Sequence, residues 1–160
     1  MSEPRASRPF MPGYGIAGPT EGRGLLPWSW AEDRLVSSYR YWVVSTGGRP
    51  GAHAMPVWGV WFDAAFWFST AGRSRKARNL FALPECTVHT DTADPVVVEG
   101  VAEAVDDPGR LEAVLASYEA KYPMGPPDRA QNPIFRVVPR RVLGLEEASF
   151  STSPTRWVFE

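Results

Sequence analysis

The sequence contains one cysteine, two histidines and no long apolar run. A single cysteine, Cys86, excludes an intramolecular disulfide and any paired-cysteine redox or zinc motif. The two histidines, His53 and His89, lack the spacing of metal ligands, so we predict no metal site. No segment reaches the roughly 20 apolar residues that a transmembrane helix needs. The first residues also lack the apolar core of a secretory signal, and we expect a cytoplasmic protein.

An excess of charge of one sign is also absent, since 17 Lys and Arg oppose 18 Asp and Glu and leave a net charge of -1. No overall field draws the chain to nucleic acid or to an anionic membrane. The basic cluster from Arg73 to Arg78 is one helical turn long, which is too short for a nucleic-acid surface. Ser, His and Asp occur without a nucleophile elbow, so acyl transfer is not predicted.

The length of 160 residues is typical of one domain. Residues 1–27 are rich in Pro, Gly and Arg and show no periodicity, so we predict an N-terminal arm. This arm is either disordered or packed across a subunit interface through its few apolar residues. Residues 28–160 then form the folded domain. Seven tryptophans are many for such a chain, and they indicate a large aromatic core or a platform for a planar ligand.

The pattern predicts a mainly β fold with short helices, of the α+β type. Helices are expected over 27–38, with Ser29 as the capping residue, over 75–83 and over 107–121. Strands are expected over 40–46, 52–62, 66–70, 86–90 and 95–105, with a last strand or two in 134–138 and 141–146. A turn at 47–51 and a tight connection at 63–65 join the first three strands as a meander. About six antiparallel strands favour a closed barrel, which has no exposed edges.

The segment between the third strand and the second helix carries the strongest indication of function. An aromatic strand ends in Ser69 and Thr70, and after a short turn a helix begins with Ser74, Arg75 and Lys76. Free N–H groups and the helix dipole favour an anion at such a helix start. Arg75 adds a bidentate donor and Lys76 a point charge. We predict a phosphate site, and a solvated basic helix capped by Ser74 is the alternative.

The ordered motifs resemble the flavin-binding split-barrel superfamily, the group of pyridoxamine 5'-phosphate oxidase and its deazaflavin-dependent relatives. The matching segments are the strand, turn and strand at 43–58, the strand and phosphate loop at 66–80, and the apolar strand at 96–103, with a weaker echo at Arg156 and Trp157. The resemblance implies a six-stranded antiparallel split β-barrel of the FMN-binding type. It also implies a homodimer with the cofactor at the subunit interface.

The resemblance also implies roles for particular residues. Arg75 and Lys76 match the phosphate-binding pair, with Ser74 as the helix cap. Ser69 and Thr70 match the pair beside the phosphate and the edge of the isoalloxazine ring. Trp157 is expected to cover the cofactor, or else to anchor the tail. The strand whose backbone lines the ring system is matched by His53, Ala54, Met55, Pro56, Val57 and Trp58.

Two departures bear on the reaction. The oxidase that gives the group its name has Arg and Lys where this sequence has His53 and Trp58. The sequence is therefore more similar to flavin and deazaflavin oxidoreductases than to a vitamin B6 oxidase. The resemblance implies FMN or coenzyme F-420 as cofactor and hydride transfer to or from a small organic substrate. The cofactor carries the hydride, so no catalytic side chain is assigned. The alternatives are a non-catalytic flavin-binding or sequestering protein, and a haem-binding barrel with His53 or His89 as ligand.

Overall fold

A computed structural model describes residues 3–47 and 50–160. Within these residues it contains three helices, α1 Trp28–Ser37, α2 Arg75–Ala82 and α3 Pro108–Lys121. The same residues form nine strands: β1 Arg5–Ser7, β2 Tyr41–Ser45, β3 His53–Val57, β4 Gly59–Phe62, β5 Ala65–Ser69, β6 Glu85–Thr90, β7 Val96–Val105, β8 Ile134–Gly144 and β9 Thr155–Val158. The predicted turn at 47–51 falls partly on residues 48 and 49, and the predicted arm begins at residues 1 and 2, which lie outside the described residues.

The strands form one antiparallel sheet, so the prediction of a mainly β fold with short helices is confirmed. Hydrogen bonds join the strands in the order β1-β9-β8-β7-β6-β2-β3. β8 also pairs through Phe135 and its neighbours with β5, which in turn pairs with β4. The described sheet has nine strands instead of the six predicted, and its strand order does not by itself give the closed six-stranded barrel.

The strand predicted over 52–62 is divided at Trp58. β3 pairs with β2, whereas β4 pairs with β5, so the chain changes partner between Val57 and Gly59. Glycine is required directly after this change of partner. A Cβ atom at Gly59 would lie 2.7 Å from the main-chain oxygen of Trp67 and would collide with the ring of Phe66. The periodicity of the sequence did not predict this division, because one apolar run continues through both halves.

The helix starts test two predictions about capping, at Ser29 and Ser74. Ser74 caps α2 as predicted, because its hydroxyl accepts a hydrogen bond of 3.1 Å from the backbone N–H of Ala77. Asp107 caps α3 in the same way through the N–H of Arg110 at 2.9 Å. The prediction that Ser29 caps the first helix is wrong. The helix already includes Ser29, since it begins at Trp28, and Pro27 occupies the capping position without a side-chain cap bond.

Two clusters of buried side chains stabilise the fold. The larger one lies inside the sheet and beneath α1, and includes Leu35, Tyr41, Phe66 and Trp157. The smaller one packs α3 against β4 and β5. Phe66 joins the sheet interior to the aromatic ring of Tyr41 at a centroid separation of 4.6 Å. These contacts fix β5, and therefore the start of α2, relative to the rest of the sheet.

The described part of the N-terminal arm packs on its own chain. β1 pairs with β9, so Ala6 lies opposite Trp157. The guanidinium of Arg8 is buried and donates to four carbonyl oxygens, those of Thr152, Pro154, Glu21 and Arg23. These contacts tie the arm to the C-terminal segment. Among the described helices, none is both long and apolar enough to cross a membrane.

Candidate functional site

The connection between β5 and α2 brings the predicted hydroxyl groups to the helix start. The hydroxyl of Thr70 lies 3.3 Å from that of Ser74, which caps α2. Ser69 has a different orientation, because its hydroxyl donates toward the carbonyl oxygens of Asn132 at 3.4 Å and Pro133 at 3.2 Å. The structure therefore places Thr70 and Ser74 together, and it turns Ser69 toward the loop that precedes β8.

The first residues of α2 place two cations at this position. Arg75 reaches the carbonyl oxygens of Pro50 and Gly51 at 3.4 Å through one terminal nitrogen. Its Nε atom is buried and has no partner among the described residues. Lys76 is only 6% exposed and makes no hydrogen bond or ion pair with a described residue. Burial lowers the pKa of Lys76 to about 8, because an ammonium loses hydration without gaining an acceptor.

Asn79 fixes the orientation of α2 against β2. Its amide is buried and lies 3.2 Å from the hydroxyl of Ser45, the last residue of β2. The approach of helix and strand is close, because a Cβ atom at Gly47 would lie 2.9 Å from the backbone nitrogen of Leu83. Strand β2 pairs with β3. The cations at the start of α2 are thereby held at a fixed place beside the start of β3.

β3 has only one neighbouring strand, β2, among the described residues. It begins beside the cations, since Arg75 donates to the carbonyl oxygens of Pro50 and Gly51 just before the strand. Burial, and then the charges of Arg75 and Lys76, lower the pKa of His53, the first residue of the strand. Ala54, Met55 and Pro56 are exposed, whereas Val57 is buried and Trp58, just beyond the strand, is 38% exposed. The predicted ring-lining segment is thus a free, largely apolar strand edge that runs from the cations to Trp58.

The far end of this edge carries residues that the sequence analysis missed. The ring of Trp58 stacks on Tyr122 at a centroid separation of 5.0 Å and an interplanar angle of 9°. The hydroxyl of Tyr118 lies 3.1 Å from the main-chain oxygen of Trp58, and Lys121 donates to the carbonyl oxygen of Gly59 at 3.2 Å. Their spacing puts Tyr118, Lys121 and Tyr122 on one helical face, a pattern that could have indicated this role.

Trp157 requires a correction. It is fully buried and packs against Trp28 and Trp30, with centroid separations of 5.7 and 6.5 Å. The tail forms strand β9 inside the sheet, so the side chain of Trp157 is a core residue of its own chain. It lies with the aromatic cluster beneath α1, and the structure does not bring it to the residues that flank α2. Burial of apolar surface explains this position better than contact with a ligand.

The remaining candidate groups lie elsewhere. In the part of the chain that the structure describes, no three His, Cys, Asp or Glu side chains are grouped to hold a metal ion. Burial raises the pKa of the Cys86 thiol to about 12, which leaves it protonated and unreactive at neutral pH. His89 stacks on Trp42 at 6.5 Å and its Nδ1 lies 3.0 Å from the carbonyl oxygen of Thr90. His89 is thus a residue of the sheet face and is not part of the α2 site.

Solved structures share this fold. A conserved hypothetical protein from Mycobacterium tuberculosis is 26% identical, with a TM-score of 0.61 over 73% of this chain and 82% of that one. A haem-binding protein from Mycobacterium smegmatis is 18% identical, with a TM-score of 0.61 over 72% of this chain and 53% of that one, so the chain spans about half its length. An F420 reductase is 19% identical, with a TM-score of 0.56 over 69% of this chain and 94% of that one.

The sequence itself gives a family match. Among curated proteins, no sequence matches the chain. The family profile described as pyridoxamine 5'-phosphate oxidase matches residues 33–146, a range that includes the start of α2, the free edge of β3 and most of the sheet. Because this match covers well over half of the sequence, the chain belongs to the pyridoxamine 5'-phosphate oxidase family within the flavin-binding split-barrel superfamily.

Proposed function

We propose that the protein is a cytoplasmic, homodimeric oxidoreductase that binds FMN or coenzyme F-420 along β3 and transfers a hydride to or from a small organic substrate. The single observation that carries this proposal is the burial of Lys76. Lys76 is 6% exposed and has no hydrogen-bond or ion-pair partner among the described residues, and a cation in such a position is costly unless a ligand supplies the opposite charge. Arg75, with a buried and unpartnered Nε, lies directly beside it.

The donor set fits a cofactor phosphate. Lys76 offers an ammonium, Arg75 a guanidinium, and the start of α2 offers backbone N–H groups and the positive end of the helix dipole. Thr70 and Ser74 add hydroxyl groups 3.3 Å from one another. A phosphate dianion can accept hydrogen bonds from all these donors at once, whereas a carboxylate has fewer oxygen atoms to share. This set supports both FMN and the phosphate-bearing deazaflavin.

The free edge of β3 is suited to hold the ring system. Strand backbone offers alternating N–H and C=O groups, which can pair with the polar edge of a flavin without a charged side chain. Exposed apolar side chains, Met55 above all at 46% exposure, offer contact to a planar ring. When bound, the flavin or deazaflavin would supply two-electron hydride chemistry. The residues of this chain would bind its phosphate, orient its ring along β3 and exclude water from one side.

The same edge supports a dimer. Unpaired strand edges with apolar side chains are normally covered, and Ala54, Met55 and Pro56 are exposed in the single chain. A second copy that covers this edge would enclose the ring system between subunits. Sedimentation velocity is the direct measurement, and a concentration-independent monomer would contradict the dimer without affecting the phosphate site.

The phosphate site is tested by a double variant. Arg75→Ala with Lys76→Ala removes two charge-assisted contacts, each with a value of about 1.5–3 kcal/mol. We expect binding of FMN or coenzyme F-420 to weaken at least about 100-fold. The matched control is Arg73→Ala with Arg78→Ala, which removes two exposed cations from the same turn and should change affinity less than about fivefold. An equal loss of affinity in both double variants would mean that net positive charge, and not a specific phosphate site, causes the effect.

Parallel titrations of the purified chain with FMN and coenzyme F-420 separate the two cofactors, and steady-state reduction by a suitable electron donor then tests turnover. Tight binding with no turnover would favour a flavin-sequestering protein. If neither cofactor binds, the proposed function fails.

Haem binding is the second candidate, and one observation favours it. Burial, and then the charges of Arg75 and Lys76, lower the pKa of His53, which favours the neutral imidazole, the form that ligates iron. One structural relative is a haem-binding protein. Titration with haem should then produce a Soret band that is lost in His53→Ala and retained in His89→Ala. A Soret band that survives both substitutions would exclude His53 as the ligand.

A further inference from the structure

A cavity of about 300 Å³ lies beside Trp58, just beyond the last residue of β3. Its walls are Trp58, Ser69 at the end of β5, Tyr118 of α3, and Met124 with the residues at 125–127. We call it the Trp58 cavity. His53 and Trp58 are five residues apart along an extended segment, which spans about 17 Å. Ser69 in the cavity wall directly precedes Thr70, one of the proposed phosphate donors, so the cavity also adjoins the phosphate site from β5. A ligand that lies along the strand would reach both.

The Trp58 cavity carries no formal charge on any of the described residues that line it. Its two hydroxyl groups are already directed at carbonyl oxygens. Tyr118 lies 3.1 and 3.2 Å from the main-chain oxygens of Trp58 and Trp67, and Ser69 lies 3.2 Å from that of Pro133. Both hydroxyl protons are therefore engaged, and only the oxygen lone pairs remain for a ligand.

A nearby cation, Lys121, is also engaged. Its ammonium donates to the carbonyl oxygens of Val36 and Gly59 and to the hydroxyl of Tyr41, at 3.1, 3.2 and 2.7 Å. An ammonium has three protons, so these bonds use all of them. An anionic ligand group would thus find no free donor in the cavity, and a cationic group would find no carboxylate.

The walls favour a flat apolar group. Trp58 is partly exposed and its ring is held by stacking on Tyr122 and by an edge contact with Tyr39 at 6.0 Å. Met124 is 78% exposed at the rim, and a thioether makes favourable contacts with aromatic rings. A rigid tryptophan face and a polarisable rim suit an aromatic ligand, since little side-chain entropy is lost on binding.

We propose that the Trp58 cavity takes an uncharged aromatic group of the substrate. This inference rests on the proposed function in that the substrate would be presented to a cofactor on β3. The cavity would select neutral groups over charged ones, because an ionic group would lose its hydration in the cavity without gaining a partner.

The test uses the full-length chain without cofactor and three probes of the same shape. These are 2-acetylnaphthalene, 2-naphthoate and (2-naphthyl)methylammonium at pH 7, measured by equilibrium dialysis. We expect the neutral probe to bind at least about tenfold more tightly than either ion. Trp58→Ala should weaken the neutral probe at least about fivefold, through loss of an aromatic contact. Equal affinity for the three probes, or an unchanged affinity in Trp58→Ala, would overturn the proposal.

A charge placed at the rim gives a second test that does not disturb the core. Met124→Lys should tighten 2-naphthoate and weaken the ammonium probe, each about two- to fivefold. Phe81→Lys is the matched control, because Phe81 is also exposed, at 60%, but lies on α2 away from the cavity. The same change in both variants would overturn the assignment of the cavity.

The two proposals fail separately, because no cofactor is needed for the probes to bind. Probe binding without affinity for FMN or coenzyme F-420 would support the cavity and contradict the proposed function. Cofactor binding without probe discrimination would contradict the cavity alone.

Discussion

The hydroxyl of Tyr118 lies 3.1 Å from the main-chain oxygen of Trp58. This contact joins the middle of a helix to the point where the chain leaves one strand partner for another. Tyr118 also lies 3.2 Å from the main-chain oxygen of Trp67. The side chain of Tyr118 thus links β5 to the residue between β3 and β4, and it helps to position Trp58.

Tyr118→Phe tests the strength of this connection. The substitution keeps the ring in the core but removes the one hydroxyl proton that the carbonyl oxygens of Trp58 and Trp67 share. We expect the free energy of unfolding to fall by about 1–3 kcal/mol. Urea unfolding is the measurement. Tyr14→Phe is the matched control, because Tyr14 is 64% exposed and its loss of a hydroxyl should change stability by less than about 0.5 kcal/mol. An equally small change at Tyr118 would contradict a structural role for its hydroxyl.

The same substitution should change the free energy of unfolding in opposite directions at Lys76 and at Lys121. Burial lowers the pKa of both to about 8. Lys76→Met removes an ammonium that has no described acceptor, so it should stabilise the cofactor-free chain by about 1 kcal/mol or more. Lys121→Met removes the donor to Val36, Tyr41 and Gly59, of which Gly59 keeps a bond from Tyr122, and should destabilise the chain by about 1–3 kcal/mol. Chemical denaturation of the two variants and the parent chain compares their stability directly. A loss of stability in both variants would contradict the interpretation that the Lys76 ammonium destabilises the cofactor-free chain.

The same two lysines predict how stability depends on pH. Their folded pKa values of about 8 lie below the ordinary value of 10.5, so between these values the unfolded chain binds more protons. The free energy of unfolding should therefore rise as the pH increases above about 8. Cys86 and Tyr122 act in the opposite direction above pH 9 and 10, because burial raises the pKa of each to about 12.

We accordingly expect a maximum of stability between about pH 9 and 10. Urea midpoints at half-unit steps from pH 7 to 10.5 would locate it. In Lys76→Met the rise above pH 8 should be smaller than in the parent chain. A parent midpoint that falls steadily from pH 7.5 to 9 would contradict the lowered lysine pKa values.

Arg8 should hold the N-terminal arm in place. Its guanidinium is 3% exposed and donates to four carbonyl oxygens from two separate segments. Arg8→Met keeps much of the apolar stem but removes these bonds, so we expect a loss of about 2–4 kcal/mol and faster proteolysis within the first 25 residues. Arg5→Met is the control, because Arg5 is exposed on β1. Equal protease sensitivity of the two variants would contradict the role assigned to Arg8.

Local patterns in the sequence were sufficient for much of the fold. The strands β2, β5, β6, β7 and β8 and the last two helices are placed to within a few residues, because alternation, prolines and capping residues act over short distances. Strands β1 and β9 were not predicted. The Ser74 cap is an example, since its hydroxyl bonds three residues along the chain. The first helix lies within one residue of its predicted bounds at each end, but Pro27 and not Ser29 occupies its capping position. The resemblance of the ordered motifs agreed with the family match.

Other features depended on contacts between residues far apart in the chain. Trp157 was expected to cover the cofactor, yet β9 places it in the core beside Trp28 and Trp30. The strand at 52–62 is divided because β5 pairs with its second half only. Ser69 turns toward Pro133, 64 residues later in the sequence. No local pattern specifies these partners.

The sequence by itself determined that two cations would follow a helix cap, because capping and helix start are decided by neighbouring residues. The tertiary structure alone decided that one of them, Lys76, would be buried. It likewise decided that Arg75 would donate to Pro50 and Gly51, which lie between β2 and β3. It also decided that Trp58 would stand between a free strand edge and an uncharged cavity. Burial and charge pairing depend on which distant segments meet, and that follows from the packing of the whole sheet.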